Sequence, residues 1–176
     1  MPRGHPRWPV WPGAKGAVEL LLAAAYARRD HVALVAFRGK AAELLLPPAR
    51  SLVQTKRRLA GLPGGGGTPL AAGLPLAGEV ARLTRSRGMT PTIALLTDGR
   101  GNVALDGRGD RATAMAEAQV AARRLCASGT PALVIDTATR PQAELRALAA
   151  MMGATDLPLP RADARRMADA LSGALG

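Results

Sequence analysis

The sequence predicts an α/β domain, a mostly parallel sheet with helices on both faces, and three observations carry that expectation. Continuous apolar runs at Val32 to Phe37 (VALVAF), Ile93 to Leu96 (IALL) and Pro131 to Asp136 (PALVID) suit strands buried on both faces of a parallel sheet. Segments with apolar residues at helical spacing stand between them, and such alternation builds a layered α/β fold. The third observation is Pro91 to Asn102, PTIALLTDGRGN, where a buried-strand pattern ends in the carboxylate of Asp98. Ligands of open α/β sheets sit beyond the carboxyl ends of the strands. Asp98, between Thr97 and the permissive Gly99, therefore stands where a site would be built. Taken alone, the stretch also reads as a strand followed by an Asp-Gly turn.

In chain order, residues 1–13 (MPRGHPRWPVWPG) carry Pro2, Pro6, Pro9 and Pro12 and read as an irregular arm, with Trp8 and Trp11 docked or exposed. The domain proper is expected over 14–176. From Ala14 to Arg29, Val18, Leu21, Leu22, Ala25 and Tyr26 recur at helical spacing as a core-facing helix, and two closing arginines complement its dipole. Asp30 leads into the strand Val32 to Phe37, and Gly39 turns into a short strand, Glu43 to Leu46, stopped by Pro47-Pro48. A helix from Ser51 to Leu62 has Ser51 as N-cap and one apolar side made of Leu52, Val53 and Leu59. Gly64 to Gly67 lead through Thr68-Pro69 to a helix over Leu70 to Arg87, with Pro69 at its start and weakened by Gly73 and Pro75. Beyond Asp98 a polar, glycine-rich loop runs to about Asp110. Then come a helix at Ala112 to Ser128, the strand Pro131 to Asp136, a helix at Gln142 to Met152, a short strand near Leu157 to Leu159 and a helix at Arg161 to Leu175. No repeat or linker divides the chain.

The length of 176 residues suits one domain, and 48% hydrophobic residues with 2% aromatics point to a core of Leu, Val and Ala. A net charge of +11, from 24 basic and 13 acidic residues, would suit nucleic acid, an acidic membrane or an acidic partner. Arginine far outnumbers lysine and Ala, Gly and Pro abound, which is the bias of a GC-rich coding sequence and discounts the charge. Pairs such as Arg28-Arg29, Lys56-Arg57-Arg58, Arg123-Arg124 and Arg165-Arg166 fall on or at the ends of helices, where solvated cations are ordinary. A basic nucleic-acid-binding module lacks the aromatic platform and concentrated basic face that single-strand binding uses. Cys126, the only cysteine, excludes an internal disulfide, fits a reducing compartment and reads as a small core residue. The N-terminal region imitates a signal peptide, but Glu19 and the prolines argue against one, and nothing approaches the roughly 18 apolar residues of a spanning helix. A cytoplasmic location without a membrane span is expected.

GLPGGGGTPL places Gly61, Gly66 and Thr68 as a phosphate loop would, but Gly67 stands at the lysine position and the loop follows a helix. No nucleotide is therefore expected. Glycines in a row cost backbone entropy on ordering, so the loop is expected to bring its backbone close to something. Arg108-Gly109-Asp110 spells an adhesion tripeptide, for which chance is the better explanation in this composition. His5 and His31 have no metal-ligand spacing, and no catalytic triad or paired-carboxylate site stands out, so the chain is not expected to catalyse alone.

GGGGTPL ahead of a helix and LLTDGRGN at a strand end resemble the later two parts of a metal-ion-dependent adhesion site, the signature of the three-layer, Rossmann-like von Willebrand factor type A fold. The wider segments KGAVELLLAAAYARRDHVALVAFRG, LLLPPARSLVQTKRRLAGLPGGGGTPLAAGL and IALLTDGRGNVALDG resemble the C-terminal domain of the D-type subunit of magnesium chelatase. The resemblance implies a divalent cation, Mg²⁺, on the sheet's carboxyl edge. Thr68 would donate its hydroxyl and Asp98 would bind directly or through water, with Gly65, Gly66, Gly67 and Gly99 supporting the loops. A partner's carboxylate would complete the shell, as Mg²⁺ takes oxygens in near-octahedral array. It further implies a non-catalytic docking role in the ATP-driven complex that inserts Mg²⁺ into protoporphyrin IX for bacteriochlorophyll or chlorophyll, with the ATPase subunit and the porphyrin-binding subunit as partners.

The chain departs from that pattern at its beginning. The adhesion site opens with D-x-S-x-S at the end of the first strand, directly before the first helix. GHPRWPVWPG in its place holds no carboxylate and no hydroxyl, and the first serine of the chain is Ser51. Asp30 follows the first helix and belongs to the opposite end of the sheet. Only weak Mg²⁺ binding is expected of Thr68 and Asp98 alone. The missing strand belongs mid-sheet, between Val32 to Phe37 and Thr92 to Thr97. A shifted reading frame or wrong start ahead of Ala14, a degenerate fragment without function, and a strand supplied by another polypeptide remain open, with the first two favoured.

Overall fold

The computed structural model describes residues 14–61, 67–138, 140–158, 169 and 173. The expected arm at 1–13, the glycines Gly65 and Gly66, and the expected helix at Arg161 to Leu175 fall outside the described residues, save for two isolated positions of that helix. Element order is α1 (Ala14–Ala27), β1 (Val32–Arg38), β2 (Ala41–Ala49), α2 (Leu52–Ala60), α3 (Leu70–Ser86), β3 (Ile93–Thr97), α4 (Arg111–Ala127), β4 (Ala132–Asp136), α5 (Ala143–Met152) and β5 (Thr155–Pro158).

The strands form two sheets. In one, β3, β4 and β5 run parallel in that order, with Leu95 opposite Val134, Thr97 opposite Asp136 and Ile135 opposite Leu157. Each parallel step needs a crossover, and α4 and α5 supply the two. Every residue of β4 is buried, as its unbroken apolar run predicts for a central strand. In the other sheet β1 pairs antiparallel with β2. Among the described residues neither β1 nor β3 has a partner on its second edge, so the described strands fall into two separate sheets.

Helix α3 ties the halves together. Leu70 and Leu74 lie fully buried with Leu95 of β3, Ala118, Ala122 and Leu125 of α4, and Leu145, Leu148 and Met152 of α5, and Phe37 of β1 packs against the same cluster. Gly73 permits this. A Cβ there would stand 2.8 Å from the Phe37 ring, so the residue expected to weaken the helix instead lets it close on β1.

Several expectations of burial and extent need correction. Helix α1 ends at Ala27 and turns Tyr26 outward, 63% exposed, while Leu22 takes the buried position. Val53 of α2 is 67% exposed, and Thr55 and Leu59 hold the inner face. Cys126 is exposed rather than core, because the buried stripe of α4 runs through Ala114, Ala118, Ala121, Ala122 and Leu125 and leaves the next position outside it. β2 does not stop at Pro47-Pro48 but continues to Ala49. The strand lies at an edge and the ladder shifts register between Val32 and Val35, so two residues without N–H groups are tolerated. β1 is half-buried throughout Val32 to Phe37, and β3 buries Leu95 and Thr97 but leaves Ala94 exposed and Leu96 half-buried. Among the described residues each has no strand on its second edge, so less of its surface is covered.

Candidate functional site

The turn after β1 and the loop that follows Asp98 both reach the segment ahead of α3. Gly39, just beyond β1, donates its N–H to the Gly67 carbonyl at 3.0 Å. Thr68 donates its N–H to Oδ1 of Asn102 at 2.8 Å, and Asn102 returns its own N–H to the Thr68 carbonyl at 3.3 Å. Asn102 lies four residues beyond Asp98, so this reciprocal pair fastens the start of α3 to the loop that carries Asp98. Gly67 is wedged between them. An added Cβ would lie 2.5 Å from Cγ2 of Val103 and 2.6 Å from the Gly39 carbonyl oxygen. At Gly67, the described glycine of the run, the backbone does come close to something, the turn after β1 and the loop beyond Asp98.

Asp98 follows the last residue of β3, its side chain 39% exposed. Its Oδ1 accepts the Arg100 N–H at 3.0 Å, and its Oδ2 lies 3.6 Å from Nε of Arg100. Gly99 turns the chain at φ +77°, donates its N–H to Oγ1 of buried Thr97 at 3.2 Å, and leaves a Cβ position only 3.2 Å from Cβ of Leu145. A side chain at Gly99 would therefore press on α5. The loop beyond does not hang free, for Val103 and Ala104 are buried, Ala104 donates to the Arg108 carbonyl at 2.9 Å, and Leu105 N–H donates to Oε2 of Glu117 at 2.7 Å.

Thr68 and Asp98 thus lie on linked loops at the same edge, while Asp30 precedes β1 and pairs with Arg28 at 3.5 Å. As a donor set the two fall short of Mg²⁺. One hydroxyl and one carboxylate that already faces a guanidinium do not replace an octahedral oxygen shell. Among the described residues no group of three or more His, Cys, Asp or Glu side chains gathers where a metal could be held.

Two further residues shape this edge. Asn102 lies within the quoted TDGRGN stretch, but its role depends on a partner 34 positions away. Asp136 ends an apolar strand just as Asp98 nearly does, and that shared pattern was the available signal. It is buried, and its carboxylate accepts N–H groups from Ala138 at 2.9 Å and Gln142 at 3.2 Å, which shapes the turn into α5. Burial, and then the negative charge of Asp136, raise the pKa of Asp156 on β5, against the pull of Arg146 3.7 Å away. Asp110 of the Arg-Gly-Asp tripeptide caps α4, accepting from the Thr113 hydroxyl and from the Ala112 N–H at 3.1 Å, and the Thr113 bond chiefly holds its carboxyl below the usual range. Its carboxylate is thus already engaged in holding a helix end. Six arginines sit against local carboxylates (Arg28, Arg82, Arg100, Arg108, Arg111 and Arg146), consistent with solvated pairs spread over the surface. Among the described residues no helix is long and apolar enough to cross a membrane.

The family profile of the von Willebrand factor type A domain matches residues 2–100, more than half of the sequence. The chain belongs to the von Willebrand factor type A domain family. It is similar to the magnesium-chelatase 60 kDa subunit of Cereibacter sphaeroides, 66% identical over 163 residues, 93% of this chain and 29% of that one. It is similar also to the magnesium-chelatase 67 kDa subunit of Chlorobaculum parvum, 40% identical over 89% of this chain and 27% of that one. The chain therefore spans under a third of the length of these relatives. The SpRpn10 VWA domain superposes with a TM-score of 0.64 at 10% identity, covering 92% of this chain and 82% of that one, which speaks to the fold alone. The resemblance read from GGGGTPL and LLTDGRGN holds at the level of family and of relatives.

Proposed function

We propose that this chain is a non-catalytic docking domain of a magnesium chelatase serving bacteriochlorophyll or chlorophyll synthesis in the cytoplasm. It would work through the sheet edge that carries Thr68 and Asp98. The observation that carries the reading is the reciprocal Thr68–Asn102 pair, which fastens the hydroxyl-bearing loop to the carboxylate-bearing one in a chain of this family. The high identity to magnesium-chelatase subunits supports the assembly in which it would act. The partners would be the ATPase subunit and the porphyrin-binding subunit. Insertion of Mg²⁺ would be their work.

Size-exclusion chromatography with the two other chelatase subunits tests this. Co-elution is expected, and Asp98→Ala should weaken it. Separate elution of all three, with and without Mg²⁺, would overturn the reading.

A further inference from the structure

The corner where α1, β1, β2 and α2 meet lies at the amino end of β1, the length of a seven-residue strand, roughly 20 Å, from the turn at Gly39. A cleft opens there between Tyr26, Asp30, Val32, Arg50, Leu52 and Thr55. Leu22 is buried in its lining, yet two apolar side chains stand out in solvent beside it, Tyr26 at the cleft itself and Val53 on the first turn of α2. Apolar groups left exposed around a cleft and rimmed by charge are the mark of a contact surface.

The rim is cationic, and two of its cations sit where folding alone would not put them. Arg29 follows α1 at φ +60°, the one non-glycine residue with positive φ among the described residues, in a conformation that favours glycine after a helix. Arg50 stands immediately ahead of the N-cap Ser51, against the positive end of the α2 dipole, and the first turn of α2 holds no acidic side chain to offset it. The dipole of α1 explains a cation beyond its last turn, but neither Arg50 nor a side chain in the left-handed position. His31, Lys56 and Arg57 are exposed nearby on the same elements. Asp30 is the one carboxylate lining the cleft, and it pairs with Arg28 at 3.5 Å. Among the described residues no carboxylate pairs with Arg29, Arg50, Lys56 or Arg57.

We infer that this corner is a second docking surface, which takes an acidic peptide segment of a partner protein carrying one apolar side chain. The apolar side chain enters the cleft against Tyr26 and Leu52, and carboxylates to either side of it meet Arg29 and Arg50 in charge-assisted hydrogen bonds. Asp30 decides between peptide and nucleic acid. A carboxylate accepts the N–H groups of a peptide main chain but repels phosphate, and the aliphatic lining with a single tyrosine is no platform for stacked bases. The surface is separate from the edge that carries Thr68 and Asp98, and it does not depend on the function proposed for that edge.

Fluorescence anisotropy of the full 176-residue chain with a labelled peptide, Glu-Glu-Asp-Glu-Glu-Leu-Glu-Glu-Asp-Glu-Glu, tests the inference. Binding is expected at about 50 mM NaCl and should weaken at least about tenfold at 0.5 M, where salt screens exposed charges. Arg29→Glu with Arg50→Glu should weaken it about tenfold or more, whereas Arg108→Glu with Arg140→Glu, the same change of net charge at exposed positions elsewhere, should change it less than about threefold. Replacing the peptide's leucine by glutamine should weaken binding about threefold or more, as loss of an apolar anchor requires. No binding at low salt, equal losses from the two double variants, or indifference to the leucine would overturn the inference. Tighter binding of a twelve-residue oligothymidine or of phosphatidylserine vesicles would assign the surface to another occupant and overturn it as well. Amide NMR shifts on titrating the unaltered chain with the peptide make the result independent of variant folding. They should centre on Arg28 to His31 and Arg50 to Arg57, and shifts centred on Asp98 to Asn102 would overturn the placement.

Discussion

Substituting Gly67→Ala tests the wedge that joins the two strand ends. Gly67 is not among the glycines with positive φ, so its backbone is open to alanine, and reduced freedom of the unfolded chain should favour Ala by about 0.4–1 kcal/mol. Sterics oppose it. The new methyl would lie 2.6 Å from the Gly39 carbonyl oxygen and 2.5 Å from Cγ2 of Val103, where ordinary contact begins at 3.4 Å. Val103 is buried and β-branched, so it cannot rotate away freely. The Gly39 carbonyl belongs to a residue whose own N–H bonds to Gly67 at 3.0 Å, so its retreat would drag on the turn between β1 and β2. Overpacking of this kind costs about 1–3 kcal/mol, which at the middle of both ranges outweighs the entropy gain and leaves a net loss of roughly 1 kcal/mol. At this chain length the melting temperature should fall by about 2–4 °C. Urea denaturation of Gly67→Ala, Val103→Ala and the double variant separates the two contacts. Removing the Val103 methyls should make the alanine less costly without making it harmless, because the main-chain oxygen remains. A Gly67→Ala protein as stable as the parent, or more so, would refute the wedge.

Asn102→Ala removes the acceptor of the Thr68 N–H and should cost about 0.5–1.5 kcal/mol, with faster hydrogen exchange at the Thr68 amide than at buried amides of β4. Leu133→Ala in the central strand, where the side chain is fully buried, should cost about 2–5 kcal/mol by denaturant titration. Asp156→Asn probes the raised carboxyl. A group whose folded pKa lies above its unfolded one favours the protonated fold, so the parent loses stability as pH climbs from the ordinary carboxylate range through the raised value. The neutral variant should therefore be the more stable of the two above that window, with the advantage vanishing below it, less the small loss of the exposed Arg146 pair. Melting temperatures compared across that range check the sign. Asp110→Ala should destabilise α4, and the difference should shrink when acid protonates the parent's cap.

The order of elements was legible in the sequence because each is specified locally. Four-to-six-residue apolar runs became β1, β3 and β4, Ser51 capped α2 as its position ahead of an amphipathic stretch requires, and Asp98 fell at the end of β3. What the sequence could not decide is everything that depends on a partner distant along the chain. Helical spacing marks a stripe but not its rotation, and packing of α4 chose Leu125 over Cys126. Prolines end a strand only where a neighbour needs their N–H groups, and β2 at its edge made no such demand of Pro47 and Pro48. The bond from Thr68 to Asn102 and the wedging of Gly67 between Gly39 and Val103 exist only because α3 draws two half-sheets to one loop. Local pattern specified which residues form strands and helices; the meeting of the turn after β1 with the loops that bear Thr68 and Asp98 was set by long-range packing.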